Sequence, residues 1–284
     1  MGINDDIASR ILSMKVGTLR AGARLGNELN DVISEAEFDI ALHVSDNTGH
    51  QARSAAVIAR NAARSIGDKL MDRVDEYAER RTETMLRAFE KDFGIKLNEP
   101  TRKPSLSFLR GDVSKFMEDA AVSAHERAYD AIKGGFEPEK SIARLRAHTR
   151  TVARSGANAA HNAAVLSLVR ANKDQLSGVM ALATLDSRTT EICQDRHGGA
   201  WDINTGRALA WSQTGIDFPG RPPWHFNCRT TLTPLVAFAD VPLEETFDKE
   251  AWIRSDAGRA ALGETQVSLY EQGRLTLSQL LNVR

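Results

Sequence analysis

The chain has two cysteines, Cys193 and Cys228, and each has a histidine close by: His197 follows Cys193 by four residues and His225 precedes Cys228 by three. On a helix, residues four apart share a face, so Cys193 and His197 can address one ligand. A His-x2-Cys pair lets a tight turn aim both side chains at one point. Two such pairs separated by 27 residues form the pattern of a structural Cys2His2 zinc site built from a short helix and a loop. Two cysteines are too few for a disulfide framework, which favours a metal or buried-thiol role in a reducing compartment.

Other chemistry is open to the same residues. The cysteines could be small buried hydrophobes while His225 and Asp186 hydrogen-bond backbone in a proline-rich loop, with no metal at all. A catalytic zinc needs three ligands, an open position and a nearby base. Four closing ligands argue against it, and Glu191, the available base, reads as a surface helix residue. Cys193 or Cys228 paired with His225 could act as a nucleophile, but no recognisable oxyanion-hole turn accompanies them.

These residues need elements to hold them. Asp186 can cap a short helix by accepting from amides near Arg188 or Thr189, and Pro222 and Pro223 stiffen the approach to His225. "VMALATL" (179–185) and "TTLTPLVAF" (230–238) read as short strands, the second at a sheet edge because Pro234 cannot donate to a ladder. All four tryptophans follow residue 200. Upstream the texture is helical. One long helix is expected over 47–93, with Gly94 near its end. A linker follows over 94–112. A helix from Val113, capped by Asp112, is expected next, and then one from Pro138 to Ala171 whose stripe includes Gly156, Ala159 and Ala163 and predicts a close approach of another element. Residues 247–281 return to helical texture. The expected fold is α+β and predominantly helical, with long N-terminal helices and a small C-terminal module holding a short antiparallel sheet and the Cys/His clip. Three consecutive regions follow: a helical arm over 1–111, a helical pair over 112–178 and the α+β module over 179–284.

The net charge is −1, so bulk electrostatics draw the chain neither to nucleic acid nor to membrane. Locally, Lys140, Arg144, Arg146, Arg150, Arg154, Arg170 and Lys173 lie in a stretch without an acidic residue. They could contact DNA phosphates non-specifically or an acidic partner, or form a solvated face paired with carboxylates of the N-terminal helices. No membrane span or secretory signal is expected, since acids stand in "MGINDDIASRILSMKVG" where a signal would be basic and then apolar.

"TLDSRTTEIC", followed by a glycine-containing loop and then "PPWHFNCR", resembles the phage Mu F-type head morphogenesis proteins, also called minor head or minor capsid proteins. The helix "RTVARSGANAAHNAA" and the later pattern of Trp252, Leu262, Gly263, Leu269, Gly273 and Leu280 add to the resemblance, which covers about residues 141–284. The resemblance implies a structural clip of Asp186, Arg188, Thr189, Pro222, Pro223 and Arg229 around the cysteines. Family members often read Cys-Arg-Cys, whereas Thr230 follows Arg229 here, so a third cysteine is not available to a ligand scheme. The resemblance also implies a virion protein rather than an enzyme, sited at the portal vertex or capsid interior and assembled in the bacterial host cytoplasm. Its expected partners are the portal, the major capsid or scaffolding protein and DNA, with no membrane.

Overall fold

The computed structural model describes residues 3–43, 49–134, 143–184, 188–225, 227–236, 249–255, 259, 264–275 and 280. Four long helices come first: α1 Ile3–His43, α2 Gly49–Phe93, α3 Ser107–Lys133 and α4 Ala143–Ala171. After them come β1 Leu176–Leu182, α5 Glu191–Gln194, β2 Ala200–Trp201, β3 Thr231–Val236, α6 Lys249–Arg254 and α7 Glu264–Glu271. The expected class holds: predominantly helical, with a three-stranded antiparallel sheet of order β2-β1-β3.

Helix α2 matches its expectation closely and ends before Gly94, whose φ of 64° no β-carbon opposes and whose N–H bonds the Glu90 carbonyl. Helix α3 corrects the reading of its start. It begins at Ser107, with Leu106 in the capping position, so Asp112 lies inside the helix and the linker is shorter than expected. The reason is apolar spacing: Leu106 and Leu109 are buried with Val113 and Met117, extending the stripe upstream past Gly111. Pro138 and Lys140 lie outside the described residues.

Residues group into two compact units. One comprises Met1–Ala21, Ala78–Pro104 and Asn158–Arg284, the other Gly22–Tyr77 and Ser105–Ala157. They do not coincide with three consecutive regions, because α1, α2 and α4 each contribute residues to both.

The Gly22–Tyr77 and Ser105–Ala157 unit is a helical packing whose core includes Ile33, Ile40, Ile66, Leu70, Met117 and Ile132, each at most 2% exposed. Small residues set its closest approaches. A β-carbon on Gly22 would stand 3.0 Å from Arg154 Cα, and one on Gly156 would stand 2.7 Å from Val74 Cγ2. The close approach expected from the small stripe is therefore present at Gly156. Part of the basic run is committed here: Arg146 pairs with Glu37 of α1, the solvated-face alternative in which N-terminal carboxylates answer the arginines. Arg144 and Arg150 are exposed.

In the other unit, Phe89 of α2 and Val165 and Leu168 of α4 pack with Val179, Trp201 and Leu232 of the sheet. Strand β1 starts at Leu176, three residues before the expected start, because Leu176 is itself buried and pairs with Val236. Strand β3 is an edge strand, as Pro234 required, and Pro234 stands opposite Val179. Strand β2, which has only two residues, was not foreseen. It reaches β1 because Gly178 has no side chain: a β-carbon there would lie 2.1 Å from the Trp201 carbonyl oxygen. Arg170 and Lys173 belong to this unit and are exposed. Among the described residues, no helix is long and apolar enough to cross a membrane.

Candidate metal centre

Helix α4 builds one wall of the centre. Asn158, His161 and Asn162 stand three and four residues apart on one helical face and are 4% exposed or less. Such burial is costly unless the polar atoms find partners, and they find peptide groups. Asn158 Nδ2 donates to the carbonyls of Cys228 and Thr230, each at 2.9 Å. Asn162 Nδ2 donates to the carbonyls of Pro222 and Thr230, and Asn162 Oδ1 accepts from the Leu232 N–H at 2.7 Å. The peptide groups of Pro222, Cys228, Thr230 and Leu232 are thereby held by α4.

His161 completes this face. Its Nδ1 accepts from Arg81 Nε at 3.0 Å and its Nε2 lies 3.0 Å from the Leu232 carbonyl. A carbonyl only accepts, so the proton sits on Nε2 and the ring is neutral. Burial, with the Arg81 guanidinium adding to it, holds the His161 pKa down at about 3.

Within the same stretch, His225 and Cys228 occupy a turn closed by the Cys228 N–H to the His225 carbonyl at 3.1 Å. Asn227 takes the left-handed conformation, φ 64°, which asparagine tolerates better than most residues. The Pro222–Pro223 bond is cis. The opposite wall is α5. Thr190 stands at its N-cap with no side-chain capping bond, and its hydroxyl instead meets His225 Nε2 at 2.9 Å. Arg196 lies over the Trp224 ring, 4.6 Å from its centre, and ties this wall to the proline-rich loop.

Cys193 is 3% exposed and Cys228 1%. Their sulfurs are 3.7 Å apart, and Cys193 Sγ is 3.1 Å from His225 Nε2. All three ligand atoms lie within 4.8 Å of one another. The two thiols are within hydrogen-bonding distance, where either can donate; the contact with Cys228 holds Cys193 below the usual thiol range, while the contact with Cys193 and burial push Cys228 up. Of the two, Cys193 is the one shifted toward the thiolate, the form in which cysteine binds metal.

Cys193, His225 and Cys228 could hold a metal ion, and the spacing fits one. A tetrahedral ion bonded to sulfur at about 2.3 Å requires two thiolates about 3.8 Å apart, close to the separation observed. Two thiols and an imidazole are a soft-to-borderline donor set.

His197 is a correction. Helix α5 stops at Gln194, so the four-residue spacing from Cys193 does not stay on a helical face. His197 Nδ1 accepts the N–H of Ala183 at 3.0 Å instead, and it is not part of the ligand group. Of the expected clip residues, Asp186 lies outside the described residues. Thr189 donates its hydroxyl to the Thr184 carbonyl. Arg188 and Arg229 line a small recess with Thr184, Thr190, Asn227, Cys193 and His225. Glu191 is exposed and outside the ligand group.

The fold and the cluster define the chain as a helical α+β protein with a Cys2His centre beside its sheet. No family model, curated protein or solved structure matches the chain.

Proposed function

We propose that this chain is a structural head protein of a tailed bacteriophage, docking at the portal or inner capsid during head assembly and DNA packaging, with Zn2+ as a structural ion. One observation carries the reading. The three segments that resemble the Mu F-type proteins, "RTVARSGANAAHNAA", "TLDSRTTEIC" and "PPWHFNCR", supply the members of a single centre: Asn158, His161 and Asn162 from the first, Cys193 from the second, His225 and Cys228 from the third. Their meeting at one site is what supports the reading.

The role proposed is non-enzymatic. Partners of this reading are the portal, the major capsid or scaffolding protein, and packaged DNA through non-specific contacts of the exposed Arg144 and Arg150. The test is biochemical fractionation: capsid particles induced from the host that carries the gene are purified and probed for the chain by mass spectrometry and immunogold labelling. The chain should co-purify with procapsids or virions at low copy number. Absence from both kinds of particle sinks the proposal.

A further inference from the structure

The three-residue ligand group leaves a tetrahedral ion one position short. A structural zinc is closed by four protein donors, whereas a site with three keeps a position for an outside ligand. The histidine whose spacing suggested a fourth donor, His197, is not in the group, and its Nδ1 accepts the Ala183 N–H. Among the described residues, no other histidine, cysteine or carboxylate joins the group.

What lies beside the group has a definite character. Cys228 is the most buried of the three ligands, while Cys193 and His225 border the recess that Arg188, Arg229, Thr184, Thr190 and Asn227 line. Arg188, Thr190 and Asn227 are exposed, so the recess opens to solvent. Two arginines, Arg188 and Arg229, among its lining residues give it a basic character that suits a negative occupant. Thr184 Oγ1 is buried without a hydrogen-bond partner among the described residues. Such an atom is rare in a settled interior, and Thr184 is one of the residues that line the recess.

We propose that the centre binds Zn2+ through Cys193, His225 and Cys228 and keeps one exchangeable coordination position, which takes a small monodentate anion, hydroxide or water in the resting protein. This rests on the zinc reading above and extends it from a closed clip to an open centre.

The full chain, prepared with Co2+ in place of Zn2+, tests it. The visible absorption of the cobalt protein is recorded during titration with sodium azide. The expected result is a tetrahedral cobalt spectrum at one ion per chain, whose bands shift saturably with one azide per cobalt. Arg188→Gln, at an exposed position, should bind cobalt in full and azide several-fold more weakly. A loaded cobalt protein whose spectrum ignores azide overturns the open position. A chain that takes up neither cobalt nor zinc stoichiometrically overturns the zinc reading beneath it.

Discussion

The side-chain amide of Asn158 lies 2.9 Å from the carbonyl oxygen of Cys228, so a residue of α4 directly holds the backbone of a candidate metal ligand. The same amide reaches the Thr230 carbonyl. Replacing Asn158 with leucine removes both donors and leaves two buried carbonyls to find new partners. We expect a loss of about 2 to 4 kcal/mol of folding stability, measured by urea unfolding, together with weaker zinc binding. Asn158→Asp should be worse, because it sets a carboxylate against two carbonyl oxygens.

His161 makes stability depend on pH. Its folded pKa of about 3 lies below the ordinary value of 6.5, so the fold favours the neutral ring. The stabilisation is complete above about pH 6.5 and is lost as pH falls from there toward 3, at up to about 1.4 kcal/mol per pH unit. His161→Gln keeps one acceptor for Arg81 and one donor for Leu232 but does not titrate. Unfolding midpoints measured between pH 3 and 7 should fall more gently in this variant than in the parent chain.

The histidines near the cysteines should separate cleanly in metal binding. Equilibrium dialysis against zinc should give one ion per chain, with affinity reduced at least about 10²-fold in Cys193→Ser, Cys228→Ser and His225→Ala. His197→Ala should retain one ion and lose only about 1 kcal/mol of stability, from the orphaned Ala183 amide. Zinc lost in His197→Ala and retained in His225→Ala would invert this ligand assignment.

Gly178 is the point where β1 and β2 meet. A methyl group there would press on the Trp201 carbonyl, which is backbone and cannot swing aside. Gly178→Ala should cost about 1 to 3 kcal/mol and blue-shift less of the tryptophan fluorescence, since Trp201 is fully buried in the parent. Gly111→Ala, with open space around it and a helical backbone, should be neutral or mildly stabilising by the same measurements.

Local pattern and tertiary partnership explain which features could be read from the chain. Helix α2 was legible from end to end because its apolar residues recur at helical spacing and Gly94 stops it. The Cys193, His225 and Cys228 group was legible because those side chains advertise metal chemistry. His197 was misplaced because its spacing has meaning only if the helix continues, and α5 ends three residues before it. The roles of Asn158 and Asn162 were hidden: their partners lie 60 to 72 residues away in the chain, and nothing near them names those partners. A signal was still present, since three polar residues at i, i+3 and i+4 in an alanine-rich helix mark a buried face that must be answered by something. Strand β2, two residues long, carries no periodicity to detect.

Helix α4 holds the peptide groups of Pro222, Cys228, Thr230 and Leu232. A seat that reads only N–H and C=O is indifferent to much of the side-chain lettering above it. The loop can therefore exchange side chains at its exposed positions while the peptide groups held by α4 stay in place. In that respect the helix acts as a socket: the exposed side chains are replaceable, and the amides of Asn158 and Asn162 are the contacts that must not change.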